Sequence, residues 1–334
     1  MRLTTHIFKL PFIHPFITAH GLKTHQPALV AGLSQGPHTG WGEAPAIAYY
    51  GASAEGMMEL LEQHRTAIER YALTDPRRFW HFLHHLLPAD SNALGVMAAL
   101  DTAAWQLTAA LRRQSLKMAL GFGGRPFVPT DYTLGHDTAE AMLAKAAEKP
   151  WPIYKIKMTG AADISAIEKL RTATSAPFRV DANESLNYED ARRLLPDLQR
   201  LGVTILEQAL PRGAYEEAAA LKAQSPIPLF ADEACHTEKD VAICAAGYHG
   251  IVVKLTKCGG ITPALRMLES ARSLGLKTMI GSMNESSVGA RALVHLACGA
   301  DCADTDGPLL LDEGGAEGVL QFDESGMPVD VPRL

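Results

Sequence analysis

Two lysines stand one residue apart in the run Tyr154-Lys155-Ile156-Lys157-Met158. In a strand, alternate side chains share a face, so Lys155 and Lys157 would point the same way. A lone pair of this kind is typical of a solvated edge strand, because two ammonium groups repel each other and resist burial. Here, however, further strand-like runs follow, and their polar ends are Asp181, Glu207, Asp232, Lys254, Ser282, Asp304 and Asp306.

The spacing of these polar ends is nearly constant. From Lys157 to Asp304 the steps are 24, 26, 25, 22, 28 and 22 residues. Each step has about the length of one strand, turn, helix and turn. A periodic chain that puts a charged or polar residue at each strand end predicts an α/β barrel with its active site at the carboxyl ends of the strands.

Three carboxylates, Asp181, Glu207 and Asp232, would end three consecutive strands. They cannot all stay ionised at one barrel mouth without a counter-charge. A single carboxylate would more simply cap a helix or pair with a neighbour, but three at equal phase favour a metal site. An all-oxygen ligand set indicates a hard cation, Mg²⁺ or Mn²⁺, over Zn²⁺.

Lysines flank this predicted metal site on two sides. Lys155 and Lys157 precede it, and Lys254 follows three units later. A lysine buried near other cations should have a lowered pKa and act as a base near pH 7. Lys157 and Lys254 facing each other across a substrate would perform 1,1-proton transfer, a racemisation or epimerisation. A base contributes only ~10²–10⁴-fold, so metal and ammonium charge must stabilise the enediolate. Lys257 is interpreted as a loop residue and the weaker candidate.

Asp304 and Asp306 share one face of the last predicted strand, in the motif DTDGP. Two carboxylates at this place would suit a substrate ammonium group. A polar strand end before the turn at Gly307-Pro308 explains the same residues equally well. The residues themselves leave both interpretations open.

The elements that must position these residues fall into two predicted domains. Residues 1–122 read as a β-meander followed by helices, and the Gly- and Pro-containing link 121–127 marks the boundary. Residues 123–322 read as the barrel, and the tail 323–334 is expected to pack back on the first domain. Barrel strands are predicted near residues 131–134, 153–157, 178–182, 204–208, 229–232, 251–255, 278–281 and 302–306.

Composition restricts the class of protein. Of 334 residues 47% are apolar and 20% charged, and the formal net charge is −6, which gives no reason to expect nucleic-acid binding. No apolar run approaches 18 residues and the N-terminus lacks a signal-peptide pattern, so we expect no membrane span. Five scattered cysteines predict reduced thiols and a cytoplasmic protein. The sequence shows no recognisable subunit interface, so it leaves open whether the protein forms homo-oligomers.

The motifs in chain order, K-x-K, DANE, LEQ, ADE, VVKLTKCGGI, GSM and DTDGP, resemble the enolase superfamily, muconate-lactonizing-enzyme subgroup. Within it the chain is most similar to the dipeptide epimerases, which include enzymes for L-Ala-D/L-Glu. The resemblance covers essentially the whole chain. It implies an N-terminal α+β capping domain and a modified (β/α)7β TIM-type barrel.

The resemblance also implies roles. Lys157 and Lys254 would be the acid/base pair, and Lys155 would hold the substrate carboxylate and lower the pKa of Lys157. Mg²⁺ on the three carboxylates would bind the α-carboxylate of the dipeptide's C-terminal residue. The pair Asp304 and Asp306 matches an Asp-x-Asp that binds the dipeptide's α-ammonium group. Further pocket residues would be Ser282 and Glu285, whose roles it does not define.

One departure concerns the first mobile loop, AHGLKTH. Ala-Glu epimerases carry an arginine there that pairs with the γ-carboxylate, and Lys23 is its counterpart without the bidentate fork. Tyr49 and Tyr50 would either favour a bulkier or apolar side chain or simply pack at the domain seam. Cycloisomerases and o-succinylbenzoate synthases share the lysines and metal site, so they remain the alternative reaction. A non-catalytic binding protein on the same barrel is a third hypothesis.

Overall fold

The computed structural model describes residues 1–315 and 318–329. It begins with a three-stranded antiparallel sheet of β1 (Arg2–Thr18), β2 (Gly21–Gln35) and β3 (His38–Pro45). The turn between β1 and β2 has Gly21 at φ 115°, a conformation that favours glycine. The apolar centre of β2 is buried, and the predicted meander is confirmed.

Four helices follow the sheet, and α1 and α3 pack against it: α1 (Ala54–Arg70), α2 (Pro76–Leu86), α3 (Ser91–Leu111) and α4 (Leu116–Ala119). Asp90 caps the N-terminus of the alanine-rich α3: its side chain accepts a hydrogen bond from Ala93 N at 2.8 Å. By length and composition α3 is apolar enough to cross a bilayer, but 83% of its apolar window is buried inside the fold. Such burial is typical of a core helix.

Eight parallel strands form the second unit in consecutive order: β4 (Tyr132–Leu134), β5 (Tyr154–Lys157), β6 (Phe178–Asp181), β7 (Val203–Glu207), β8 (Leu229–Ala231), β9 (Gly250–Val253), β10 (Lys277–Gly281) and β11 (Cys302–Asp304). A parallel bridge between Thr130 and Ala303 joins the last strand to the first. All eight strands lie where the sequence predicts them, within about two residues.

The connections between these strands are helical: α5 (Ala139–Glu148), α6 (Ile164–Ala173), α7 (Tyr188–Arg200), α8 (Tyr215–Lys222), α9 (Glu238–Gly247), α10 (Leu255–Cys258) with α11 (Ile261–Ser273), and α12 (Ser287–Ala297). The short α13 (Gly307–Leu310) follows the last strand. The architecture is therefore a (β/α)7β barrel with an N-terminal α+β domain.

The two units meet along α3. Asp101 accepts hydrogen bonds from Thr262 N at 2.7 Å and from Thr262 Oγ1 at 2.9 Å, at the start of α11. Trp105 Nε1 donates to the same hydroxyl at 3.0 Å. Gly260 has φ 124°, and a Cβ there would lie 2.6 Å from the Asp101 carboxylate. The first domain is thus fixed beside the mouth of the barrel.

The tail is described as far as residue 329. The two short strands β12 (Gln321–Phe322) and β13 (Pro328–Val329) pair with each other. Gly326 O accepts a hydrogen bond from Thr130 N at 2.9 Å, and Phe322 packs edge-on against Trp151. The described part of the tail therefore contacts the barrel, and packing of the tail on the first domain stays a prediction. Residues 330–334 lie outside the described residues.

Candidate active site

A cavity of about 250 Å³ lies where the carboxyl ends of the barrel strands meet the loops of the first domain. The barrel contributes Lys157, Asp232, Lys254, Ser282, Asp304 and Asp306 to its lining. The first domain contributes His20, Lys23, Tyr49 and Tyr50. The chemically active positions of the sequence are therefore brought together at one site.

The three predicted metal ligands converge at this site. Asp181 and Glu207 are the last residues of β6 and β7 and are paired in register, and Asp232 directly follows β8. All three are at most 1% exposed, and one oxygen of each lies within 4.8 Å of the others. Both carboxylate oxygens of Glu207 lie within 3 Å of Lys155 Nζ, Oε1 at 2.9 Å and Oε2 at 2.8 Å. A buried set of three carboxylates fits a hard divalent cation.

Lys157 and Lys254 lie on opposite sides of the triad. Lys157 Nζ is 2.6 Å from Asp181 Oδ2, and Lys254 Nζ is 2.6 Å from Asp232 Oδ2. Their strands, β5 and β9, are four positions apart in an eight-stranded barrel, which makes them diametrically opposed. Two ammonium groups therefore face the cavity from opposite walls.

Lys155 is held deeper by several carboxylates. It is 1% exposed, and its Nζ lies 2.7 Å from Asp304 Oδ2, 2.9 Å from Glu207 Oε1 and 3.3 Å from Asp181 Oδ2. Burial alone would lower the pKa of Lys155, but Asp304, Glu207 and the other carboxylates outweigh burial and raise it well above its ordinary value. Lys155 is therefore a permanent positive charge.

The pKa of Lys254 depends on the carboxylate beside it. Burial favours the neutral amine, but the adjacent carboxylate of Asp232 outweighs burial and raises the pKa of Lys254. The lowering expected beside a bound cation stays a prediction, because a cation on Asp232 would compete with Lys254 for that carboxylate. Spacing along the chain did not reveal that Asp232 contacts Lys254 directly.

Lys257 corrects one prediction. It is not a loop residue but lies in α10, 3% exposed. Its Nζ donates to Asp232 Oδ1 at 2.6 Å and to the carbonyl oxygens of Asp232, Cys235 and Val252 at 2.6, 2.9 and 3.1 Å. These four contacts make it a fixed counter-charge for Asp232. Sequence reasoning missed this role, and its position one helical turn after Lys254 was the available signal.

Asp304 and Asp306 both line the cavity and differ in their partners. Asp304 Oδ2 accepts from Lys155, whereas Asp306 Oδ2 accepts from Thr133 N at 2.7 Å. Burial, Asp304 and Asp131 together raise the pKa of Asp306 well above its ordinary value. Asp131, which the sequence analysis did not single out, completes a buried group of three carboxylates with oxygens within 4.8 Å of one another.

The remaining predicted site residues are Lys23, Ser282 and Glu285, and they differ in their position relative to the cavity. Lys23 lines the cavity, and burial with the charges of Lys157 and Lys254 lowers its pKa to about 8. Ser282 also lines the cavity. Glu285 is 2% exposed, and its place in the pocket stays a prediction. Its Oε2 accepts from Met283 N at 2.6 Å, and burial and Glu43 raise its pKa to about 8.

Loops of the two domains close the cavity through contacts that the sequence analysis missed. His20 Nε2 lies 3.2 Å from Glu233 Oε1 and its ring stacks on Tyr49. Tyr49 Oη donates to Glu184 and accepts from Arg212 Nη2 at 2.9 Å. Glu184 and Glu233 closely follow Asp181 and Asp232 in the DANE and ADE motifs, and this adjacency was the available signal.

Comparison with known proteins agrees with this geometry. The family described as "Enolase C-terminal domain-like" matches residues 137–315. The chain is 38% identical to "L-Ala-D/L-amino acid epimerase" of Maribacter sp. over 319 residues, 96% of this chain and 94% of that protein. It is 39% identical to a protein of the same name from Flavobacterium johnsoniae, with the same coverage.

Solved structures give the same result. A substrate-liganded complex of the L-Ala-D/L-Glu epimerase from Bacillus subtilis has TM-score 0.91 and 26% identity, covering 97% of this chain and 94% of that chain. The dipeptide epimerase from Enterococcus faecalis complexed with Mg and L-Leu-L-Tyr has TM-score 0.88 and 26% identity, covering 98% and 95%.

Proposed function

The chain belongs to the enolase superfamily, among its dipeptide epimerases, and from that premise we propose that it inverts the α-carbon of a dipeptide's C-terminal residue with Lys157 and Lys254 as acid/base pair. The observation that carries the proposal is the opposition of these two lysines, each 2.6 Å from a carboxylate of the triad, across one cavity. A racemising site needs a proton donor and a proton acceptor on opposite faces of one carbon.

The proton transfer uses the two ammonium groups in turn. One lysine, as the neutral amine, takes the α-proton from its own face of the carbon. The other, as the ammonium ion, returns a proton to the opposite face, so that the configuration inverts and no net proton is consumed. The roles exchange for the other epimer. Lys155 keeps its charge and stabilises the negative charge that develops on the substrate carboxylate.

We assign Asp181, Glu207 and Asp232 as ligands of Mg²⁺, with Mn²⁺ as a substitute of the same chemistry. Their buried, clustered carboxylate oxygens support a hard cation. The Mg reported with the Enterococcus faecalis protein also supports it. When bound, the cation supplies positive charge to the substrate carboxylate as that carboxylate gains negative charge.

The pair Asp304 and Asp306 supports a dipeptide as substrate. In this assignment their carboxylates receive the α-ammonium group of the N-terminal residue, with Ser282 beside them in the lining. A lactone or a succinylbenzoate carries no ammonium group and would leave these carboxylates unused. The epimerase is therefore favoured over the cycloisomerase and synthase alternatives.

Lys23 supports an acidic side chain on the C-terminal residue. It lines the cavity and makes no ion pair among the described residues, while its neighbours Lys157 and Lys254 are also cations. A side-chain carboxylate of Glu or Asp would neutralise this surplus of positive charge. We therefore propose L-Ala-D/L-Glu as the preferred substrate within an L-Ala-D/L-amino acid range.

The cysteines support a cytoplasmic location for this activity. All five are free, and four of them are buried. Reduced buried thiols are typical of proteins in a reducing compartment.

The test is incubation of the protein with Mg²⁺ and a library of L-Ala-Xaa dipeptides in D₂O. A gain of one mass unit on acidic members first, and on others more slowly, is the expected result. Asp304→Asn and Asp306→Asn variants separate the alternative reactions, because lactone or succinylbenzoate chemistry would survive these changes. No mass gain on any dipeptide would remove the epimerase proposal.

A further inference from the structure

Asp131 is a buried carboxylate that the proposed mechanism does not use. It precedes β4 and is fully buried. Arg179 Nη1 donates to Asp131 Oδ2 at 2.7 Å and to Ala303 O at 2.7 Å. Asp131 Oδ1 accepts no hydrogen bond within the described residues. A buried carboxylate that an arginine holds in place, and that keeps one oxygen without a hydrogen bond, is a candidate for a role in the neighbouring site.

The position of Asp131 points to the ammonium subsite. Strand periodicity turns Asp131 into the barrel with Thr133, just as it turns Arg179 inward with Asp181. One oxygen of Asp131 lies within 4.8 Å of oxygens of Asp304 and Asp306. Arg179 also fixes the carbonyl of Ala303, the residue before Asp304. Asp131 and Arg179 therefore lie directly beside the subsite assigned to the α-ammonium group.

The charge count explains why a third carboxylate would be needed. Lys155 Nζ already forms an ion pair with Asp304 Oδ2, at a distance of 2.7 Å. The carboxylate of Asp306 accepts a hydrogen bond from Thr133 N. It is buried, and an unpaired negative charge is unfavourable there. Asp304 and Asp306 alone would therefore offer little free negative charge. Asp131 offsets the positive charge of Arg179, so that three ionised carboxylates against two cations, Lys155 and Arg179, leave the group one net negative charge.

We propose that Asp131, anchored by Arg179, is a positioning residue that gives the Asp304 and Asp306 subsite the negative charge with which it binds the substrate ammonium group. The proposal rests on the proposed function for the identity of the substrate. The groups that face Asp131 are Arg179 on β6, Lys155 on β5, and Asp304 and Asp306 at the end of β11. Burial and Asp304 raise the pKa of Asp131 to about 7, so an arriving ammonium ion would drive its ionisation.

The test compares two ligands that differ only in the ammonium group, L-Ala-L-Glu and N-propionyl-L-Glu, by calorimetry with Mg²⁺ at pH 7. Asp131→Asn should weaken binding of the dipeptide by about tenfold or more, and binding of the N-propionyl compound by less than about threefold. Asp101→Asn, a buried acid remote from the cavity, should leave the preference unchanged.

A second measurement does not depend on the variant folding. Wild-type protein titrated in buffers of different ionisation enthalpy should release more protons on binding the dipeptide than on binding the N-propionyl compound. Equal weakening of both ligands by Asp131→Asn, or equal proton release with both, would overturn the inference. Failure of wild-type α-proton exchange would instead count against the proposed function, because these binding measurements need no turnover.

Discussion

At the residue scale, the site is a set of lysines and carboxylates that neutralise one another at short range. Lys157 and Lys254 each contact one carboxylate of the triad at 2.6 Å, and Lys257 contacts Asp232 from the other side at 2.6 Å. Buried charges persist only when they are paired, and removal of one partner leaves the other uncompensated. The role of each charged residue of the site can therefore be tested by substituting that residue.

Lys23→Met tests how the side chain of the substrate is recognised. We expect the KM for L-Ala-L-Glu to rise by about ten- to a hundredfold, because the only proposed cation for the side-chain carboxylate is lost. The KM for an apolar dipeptide such as L-Ala-L-Leu should change little. Lys9→Met, an exposed lysine of β1, is the matched control. Equal losses on both substrates would contradict the role of Lys23.

Glu207→Gln tests the metal assignment. Loss of one ionised ligand should weaken Mg²⁺ binding by at least about tenfold, because the net charge of the ligand set falls by one. Calorimetric titration with Mg²⁺ measures this directly. Glu285→Gln, an acid 2% exposed but outside the triad, is the control and should keep wild-type affinity. Unchanged affinity in Glu207→Gln would place the cation elsewhere.

At the element scale, close approach of β3 to α3 fixes the first domain. A Cβ at Gly42 would overlap the carbonyl oxygen of Ala99. Backbone atoms cannot move aside as a flexible side chain can. Gly42 therefore lets strand and helix pack without an intervening side chain.

Gly42→Ala should lower the free energy of unfolding by about 1–3 kcal/mol, because the added methyl group separates β3 from α3. Urea denaturation measures the loss. Gly124→Ala is the control, since a Cβ at Gly124 meets no atom within 4 Å and should leave stability nearly unchanged. A wild-type value for Gly42→Ala would mean that the contact between β3 and α3 is looser than described.

The elements were predictable from the sequence because each barrel unit repeats the same pattern of apolar run and polar end. That pattern located the triad, Lys157, Lys254 and Asp304 correctly at strand ends. The pattern did not predict the positions of residues that depend on contacts between distant parts of the chain. The packing of Phe322 on Trp151 and the hydrogen bond from Thr130 N to Gly326 O bring residues 322–326 to the barrel. Neither contact produces a periodic pattern in the sequence.

The same limit explains the residues that sequence reasoning missed. Lys257 is recognisable only when Asp232 stands beside it, and Asp131 only when β4 and β11 close the barrel through the Thr130 and Ala303 bridge. Lys257 lies 25 residues from Asp232, and Asp131 lies 48 residues from Arg179. Spacing along one unit cannot show contacts between distant units.

At the scale of the whole molecule, Asp101 joins the two domains and makes stability depend on pH. Burial raises its pKa from 3.8 to about 7 in the folded protein. Between these values the folded state holds a proton that the unfolded state has lost. The stabilising contribution is therefore complete below about pH 4 and is lost as pH rises through about 7.

Asp101→Asn should remove this part of the pH dependence. From pH 4.5 to 8 the wild-type free energy of unfolding should fall relative to that of the variant, by at most about 3 kcal/mol. Chemical denaturation of both proteins at the two pH values measures the difference. Parallel profiles would mean that Asp101 ionises in the folded protein as it does in the unfolded chain.

The central claim is that Lys157 and Lys254 serve opposite faces of one carbon. The most direct measurement is the α-proton exchange of L-Ala-L-Glu and L-Ala-D-Glu in D₂O, followed by NMR, with Lys157→Met and Lys254→Met. We predict that neither variant epimerises and that each still exchanges the α-proton of one epimer only, a different epimer for each variant. Exchange of both epimers by one variant, or continued epimerisation by either, would contradict the claim.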